Sequence, residues 1–322
     1  MKILERHARI TTFLLAETLL VFLILPAAAK FLWQTEIGFT GWLLYAPVLL
    51  MQAFWLDRLY IVGHEATHRK LFPDNRRLND LVGTLMLMPL AVPLQVFRKI
   101  HQFHHGFNRR DVHTSALDVF VSDAPVSRSK SFLYKTAWFV GVFGSGYFWH
   151  SFVSIVIFLF VPTRYAARIS PAFKHWTSRD RVVSWVQFLL GVSFHLTIYF
   201  VGGFSFWLIS LGLPILVFSW IYSLLVYIFH YDTSIGADVR FNARSLERNW
   251  FFSWLLMNFN EHATHHAFPN IPWYELPEKR QPLPKKFSSN QKVQTIWQAV
   301  LQQLKGPKIV YDNQTAPGAE RR

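Results

Sequence analysis

Eight histidines fall into three closely spaced groups, and their side chains have the chemistry of metal ligands. One group has the spacing His-x-x-x-His, and two have the spacing His-x-x-His-His. Residues three and four apart share one face of a helix, so each group can present its imidazoles together. Neutral imidazole binds iron, zinc, copper and nickel. The histidines in the three groups are His64, His68, His101, His104, His105, His262, His265 and His266.

The number of clustered histidines predicts more than one metal ion. A zinc ion takes four ligands and an octahedral ion takes six, so eight imidazoles exceed the needs of one ion. Two ions are the simplest interpretation. The isolated histidines are expected to have structural roles, and these are His7, His113, His150, His175 and His195.

Composition places the chain in a membrane. It has 322 residues, of which 52% are hydrophobic and only 16% are charged, a balance unlike that of a soluble domain. The absence of cysteine excludes disulfides, iron–sulfur clusters and a cysteine nucleophile. The net charge of +14 comes without a nucleic-acid-binding motif. We therefore expect no nucleic-acid partner and attribute the charge to basic loops on the cytoplasmic side of a membrane.

Four membrane-spanning helices are predicted from the apolar runs. They cover residues 10–29, residues 39–62 and two runs within residues 182–229, which separate near Gly202 and Gly203. The first run resembles a secretory signal, but it is longer than the roughly 7–15 residues of such a region and contains Glu17. We therefore interpret it as a spanning helix.

Two further apolar segments, residues 81–96 and 132–161, are predicted to be re-entrant or interfacial. A single crossing at the first of them would put the histidine groups on opposite sides of the membrane. The predicted fold is an all-α integral membrane protein with about four transmembrane helices, interfacial helices and a cytoplasmic cap carrying the histidines. Residues 1–305 form one domain, residues 306–322 form a disordered tail, and both termini are cytoplasmic.

The histidine groups and their flanks together resemble a known family. Asn-Phe-Asn precedes the third group at residues 258–260, and Phe-Pro-Asn-Ile-Pro-Trp-Tyr-Glu-Leu-Pro follows it at residues 268–277. Arg-Phe-Asn-Ala-Arg-Ser lies upstream at residues 240–245. These features are similar to the three histidine boxes of the integral-membrane fatty acid desaturase superfamily, in its bacterial form. The resemblance runs from about residue 62 to residue 277.

The resemblance implies a non-haem di-iron oxygenase that uses O2 and two electrons to remove hydrogens from a hydrocarbon chain. The eight clustered histidines would be iron ligands, and His230, at the end of the last span, would be a ninth. Asn258 would ligate directly or through water. Removal of hydrogen from an unactivated methylene lies beyond side-chain acids and bases and needs such a cofactor. Carboxylates expected to orient the ligands are Asp57, Glu65 and Glu261.

The resemblance also implies a substrate and partners. We expect a fatty acyl chain in the membrane, most simply the bacterial inner membrane, as substrate. Family members with a fused haem domain have Gln at the first position of the third box, where this chain has His262. We therefore expect a separate electron donor, such as an acidic ferredoxin or a similar carrier, that docks on the basic face.

Three other functions stay open on the sequence. Hydroxylases and ketolases of lipids or carotenoids use the same boxes, and the cavity decides the outcome. His64 and His68 with Glu65 also fit the His-Glu-x-x-His motif of zinc proteases, in which glutamate is the general base. That interpretation leaves two boxes unused. A metal transporter is expected to carry ligands along its spans, whereas here they are grouped at one face.

Overall fold

A computed structural model describes residues 2–34, 38–114 and 116–311, and it is mostly helical. Short 3-10 turns join several of the helices, and a π-helical segment, Leu208–Gly212, precedes α9. The helices are α1 (Lys2–Gln34), α2 (Gly38–Thr67), α3 (Arg76–Leu87), α4 (Leu94–Phe107), α5 (Arg128–Phe143), α6 (Gly146–Phe160), α7 (Thr163–Ile169), α8 (Ser178–Trp207), α9 (Leu213–Leu225), α10 (Trp250–Leu255), α11 (His262–Ala267) and α12 (Ile296–Gln302). The strands are β1 (Val119–Ser122) and β2 (Lys308–Tyr311).

The chain divides into two compact units. The first comprises Met1–His101, Ser151–Ile221 and Trp254–Met257. The second comprises Gln102–His150, Tyr222–Ser253 and Asn258–Arg322. Helix α4 is continuous through the boundary, so it contributes His101 to the first unit and the rest of its histidines to the second.

Three helical segments in the described residues are long and apolar enough to cross a membrane. They are Glu5–Trp33, Gly38–Thr67 and Ser178–Leu225, and the last has 48 residues. At 1.5 Å per residue it is about 72 Å long, more than twice the thickness of a bilayer core. Its backbone is broken at Gly203, where φ is 81° and ψ is 167°. The sequence predicted a separation between two spans at this position.

Two pairs of helices are sharply bent, at the segments for which a re-entrant or interfacial path was predicted. Arg76–Leu90 and Leu94–Phe107 meet at 97°, and Arg128–Phe143 and Gly146–Phe160 meet at 87°. The number of candidate spans is three, or up to five if each bent pair forms one span. The four spans expected from the sequence therefore stay a prediction.

In the first unit, the bend between α3 and α4 packs against α8. Gly191 of α8 permits the close approach, because a Cβ atom there would lie 2.8 Å from the Cα atom of Ala91. His195 fixes the same contact. Its Nε2–H donates to the carbonyl oxygen of Pro89 at 2.9 Å, and its Nδ1 accepts from the indole N–H of Trp207 at 3.1 Å. His195 thus joins two elements, which is the structural role expected from the sequence.

The second unit contains a small parallel sheet, which the all-α prediction did not include. Strand β1 pairs with β2, from Val119 with Lys308 to Ser122 with Tyr311. Both strands carry the β-branched and aromatic residues that favour extended backbone. Strand β2 belongs to the segment predicted as a disordered tail, and residues 312–322 of that segment lie outside the described residues.

Candidate metal centre

The first unit brings three box histidines together. Helix α2 ends at Thr67, so His64 lies in its last turn and His68 follows it directly. The Nε2 atom of His68 lies 2.7 Å from that of His101 on α4. The ring centroid of His64 lies 4.9 Å from that of His68 and 4.3 Å from that of His101. The three imidazoles therefore form one compact group.

Arg98 of α4 attaches the end of α2 to α4 and so fixes the position of this group. Its guanidinium donates to the carbonyl oxygens of Ala66 and Thr67 at 3.1 and 3.3 Å. These carbonyls end α2 and have no partner within the helix. The guanidinium is also paired with Asp80 at 2.5 Å. One buried cation thus fixes the last turn of the helix that carries His64 against the helix that carries His101.

The second unit contains a cluster of four histidines. His104 comes from α4, His230 follows α9, and His262 and His266 come from α11. One ring nitrogen from each can be chosen so that all four lie within 4.8 Å of one another. The Nε2 atoms of His104 and His266 are 3.1 Å apart, and those of His230 and His262 are 2.8 Å apart. We call these residues the four-histidine cluster.

The nitrogen separations in the four-histidine cluster fit coordination of one metal ion. With metal–nitrogen bonds of about 2.1 Å, neighbouring ligand atoms lie about 3.0 Å apart at right angles and about 3.4 Å apart in a tetrahedron. The two pairs at 2.8 and 3.1 Å are close to these values. A purely imidazole donor set suits iron, zinc, copper or nickel, so the geometry alone leaves the metal open.

Burial keeps the four-histidine cluster ready to bind a metal. His230 and His266 are buried, and burial lowers the pKa of each well below the usual value for histidine. Neighbouring imidazoles lower the pKa of both further, because two cations would repel each other at this distance. These two imidazoles are therefore neutral near pH 7, and the neutral form is the one that coordinates metal.

A backbone carbonyl fixes the orientation of His230. Its Nδ1–H donates to the carbonyl oxygen of Asn242 at 3.2 Å. The proton on Nδ1 leaves the lone pair on Nε2, which faces His262. A hydrogen bond to the outer nitrogen commonly sets the tautomer of a ligand histidine. Asn242 lies in the segment 240–245, which resembles the corresponding segment of the desaturase family. The sequence analysis predicted no role for this residue.

A buried ion pair holds the loop that follows His230. The guanidinium of Arg109 pairs with the carboxylate of Asp118, and both side chains are fully buried. Arg109 also donates to the carbonyl oxygen of Thr233 at 2.9 Å and to the hydroxyl oxygen of Tyr227 at 2.7 Å. Residues on both sides of His230 are thereby attached to the chain just after α4.

The second unit also pairs the two remaining box histidines. The Nε2 atoms of His105 and His265 are 3.0 Å apart, which again suits two ligands of one ion. One turn earlier in α11, the ring of His262 is stacked on the ring of Phe229, with 4.7 Å between the ring centroids. The centroid of the Phe259 ring lies at the same distance from that of His262. These aromatic rings exclude water from one side of the four-histidine cluster.

The three predicted carboxylates have different surroundings. Glu65 has a carboxylate oxygen 3.5 Å from Nδ1 of His64, a position from which it can orient that ring. Glu261 is paired with Arg280 at 3.2 Å, and burial raises its pKa despite this cation. Asp57 is buried within α2 and belongs to neither histidine group.

Asn258 has a backbone role in the structure. It has the left-handed conformation, with φ of 54°, which asparagine tolerates better than most residues. Its side-chain N–H donates to the carbonyl oxygen of Trp273 at 3.3 Å. The residue thus forms the turn that leads into the helix of the third box. Its assignment as a metal ligand stays a prediction.

Sequence reasoning missed the residues that hold the histidines. Arg98 precedes His101 by three positions and Arg109 follows His105 by four, so each lies about one helical turn from a box. Charged residues so close to apolar segments are a signal for buried pairing. Their partners lie 18 and 9 positions away in sequence and follow no fixed spacing.

Comparisons with known proteins identify the family of the chain. The sequence profile of the family described as "Fatty acid desaturase" matches residues 40–296. An "sn-1 acyl-lipid omega-3 desaturase (ferredoxin)" from Nostoc sp. (strain 36) is 26% identical over 247 residues, which are 73% of this chain and 66% of the relative. An "sn-1 oleoyl-lipid 12-desaturase" from Anabaena variabilis is 33% identical over 122 residues, which are 34% of this chain and 35% of the relative.

A desaturase of Synechocystis sp. with the same name as the Nostoc protein is 26% identical, and 66% of its length is matched. The chain thus spans just under two thirds of the length of these relatives. The family match covers residues 40–296, a range that includes all three histidine boxes. The chain belongs to the fatty acid desaturase family.

Proposed function

We propose that this chain is an O2-dependent desaturase that introduces a double bond into a fatty acyl chain, with two bound non-haem iron ions. The observation that carries the proposal is the four-histidine cluster, in which imidazoles from two boxes and from His230 lie at ligand distances, three of them buried. The names of the similar proteins, which are acyl-lipid desaturases, support the same activity.

One iron ion is assigned to the four-histidine cluster. The five remaining box histidines are predicted iron ligands, a prediction that follows from the ligand count and from the family resemblance. Together the iron ions would supply O2 activation and an oxidant strong enough for an unactivated methylene. These predicted ligands are His64, His68, His101, His105 and His265.

The chain's own residues position these ligands and keep water out. Asn242 sets the tautomer of His230, and Arg98 fixes the helix end that carries His64. Phe229 and Phe259 cover the ring of His262. A dry site protects a strong oxidant from side reactions with solvent.

The substrate and the electron donor approach from different media. An acyl chain reaches the boxes most easily from a bilayer, and three helices of the chain are apolar enough to cross one. We assign both termini and the boxes to the cytoplasmic side of a bacterial inner membrane. The name of the Nostoc relative includes ferredoxin, and a separate acidic carrier would be attracted by the net charge of +14.

Hydroxylation or ketolation of a lipid or carotenoid is the second candidate, because the boxes prepare the oxidant and the cavity determines its use. A zinc protease is less well supported. The motif formed by His64, Glu65 and His68 would need one further ligand, and the four-histidine cluster would have no role.

Lipid analysis of cells that express the chain tests the proposal. We expect a new unsaturated fatty acid with the wild-type chain and none with His265→Ala. The matched control is His175→Asn, since His175 is exposed and has φ of 62°, which asparagine accepts. A hydroxylated lipid would favour the second candidate, and an equal product from His265→Ala would contradict the proposal.

A further inference from the structure

Helix α12 and the turn after it carry an apolar stripe that faces away from the protein core. Successive helical residues are rotated by about 100°, so Trp297, Leu301 and Leu304 fall within about 60° of one another. Their exposed fractions are 67%, 61% and 53%. Ile296 and Ala299 are buried and form the face that packs on the core. The stripe thus lies on the side of the helix that is turned away from the core.

A basic flank borders the apolar stripe. Lys305 lies about two turns after Trp297, is rotated by about 80° from it, and is exposed. Residues 285–308 contain five lysines and neither Asp nor Glu. Helix α12 itself has no lysine, but the exposed Lys292 and Lys305 lie shortly before and after it, while Lys286 and Lys308 are paired with aspartates. Tryptophan and leucine beside basic residues are typical of an element that lies in the plane of a membrane surface.

We propose that the helix α12 and its following turn form an in-plane membrane anchor of the second unit. Trp297, Leu301 and Leu304 enter the boundary between lipid headgroups and acyl chains, and the lysines meet anionic headgroups. Tryptophan favours this depth because its ring is apolar and its N–H is polar. The lysines complement the negative charge of the headgroups.

The buried side of α12 connects this anchor to the candidate metal centre. Ile296 and Ala299 belong to the same core cluster as Phe229, with Phe259 packed against it. Phe229 and Phe259 are the rings that cover His262. An anchor at α12 therefore holds the four-histidine cluster at a fixed depth beside the bilayer.

Single-cysteine labelling tests the proposal directly, because the chain contains no cysteine of its own. Trp297→Cys and Leu301→Cys would each be labelled with a nitroxide in the full chain, in nanodiscs of phosphatidylcholine and phosphatidylglycerol. Lys305→Cys and Lys292→Cys are the matched controls on the basic side. The readout is the collision rate of each label with oxygen, which concentrates in lipid, and with a water-soluble nickel chelate.

We expect the ratio of oxygen to nickel collisions to be several-fold higher at positions 297 and 301 than at positions 305 and 292. Equal, water-like ratios at all four positions would overturn the proposal. Low collision rates with both reagents at 297 and 301 would also overturn it, because they indicate a protein partner on the stripe. Two stripe positions guard against misfolding of one variant, and the measurement is independent of iron and of desaturase activity.

Discussion

Asn108 and Asn242 hold each other through reciprocal hydrogen bonds. The side-chain N–H of Asn108 donates to the carbonyl oxygen of Asn242 at 2.8 Å, and that of Asn242 donates to the carbonyl oxygen of Asn108 at 3.3 Å. Asn108 follows the second box on its own segment, and Asn242 accepts the hydrogen bond of His230. The pair thus connects the segment that carries His104 with the residue that orients His230.

Asn242→Ala is expected to weaken both the fold and metal binding. The substitution removes the side-chain N–H that donates to the carbonyl oxygens of Asn108, Arg109 and Gly236. A buried group that stays unpaired costs about 1–3 kcal/mol. The backbone carbonyl that accepts from His230 stays in the variant, but it loses the side-chain hydrogen bonds that hold it in position. Loss of such support for a ligand histidine commonly lowers metal affinity by about 10–100-fold. Unfolding in detergent and iron titration measure the two effects. Asn270→Ala, at an exposed amide, should change neither, and equal behaviour of the two variants would contradict this role.

Removal of the buried cation at Arg109 is expected to destabilise the second unit strongly. Arg109→Met leaves Asp118 buried without its partner, which typically costs about 3–5 kcal/mol. Lys286→Met is the matched control, because Lys286 and Asp238 form an ion pair at the surface, where solvent screens the attraction and the pair contributes little. Thermal unfolding of both variants gives the comparison. Similar small decreases in melting temperature for both variants would show that the buried pair contributes little to stability.

Gly191→Ala is expected to separate α8 from the bend between α3 and α4. The added methyl group would lie 2.8 Å from the Cα atom of Ala91, a distance at which the backbone must move. Overpacking of this kind costs about 1–3 kcal/mol. Gly38→Ala introduces the same methyl group where nothing lies within 4 Å, so it should leave the melting temperature unchanged. A normal melting temperature for Gly191→Ala would contradict the close packing.

Turnover with a purified acidic electron carrier is expected to fall as salt concentration rises. The chain carries a net charge of +14, and salt screens attraction between exposed charges over about 10 Å at 0.1 M. The rate with a small neutral reductant provides the control, since it involves no charged docking. A carrier-dependent rate that is constant from low to high salt would contradict electrostatic docking on the basic face.

The sequence predicted the parts of the fold that have a local signal. Apolar length identified α1 and α2, and the pair of glycines at 202 and 203 indicated the break in the long segment that ends at Leu225. The histidine spacing identified the candidate ligands. Each of these signals lies within a stretch of about one helix, where periodicity and composition are informative.

The supports of the site could not be predicted in the same way. The acceptor for His230 is a backbone carbonyl, which every residue has, so its identity depends on the fold rather than on residue type. The pairing of Arg109 with Asp118 and of β1 with β2 joins segments whose sequence separation has no fixed value. Such contacts follow from tertiary packing, which overrides local preference.

Iron content of the purified chain tests the central claim most directly. We expect two iron ions per chain in the wild-type protein and one in His230→Ala, because this substitution removes a ligand of the four-histidine cluster only. His113→Ala, at an exposed histidine outside both histidine groups, should retain two. A single zinc ion per chain, or equal iron content in the wild type and His230→Ala, would contradict the account.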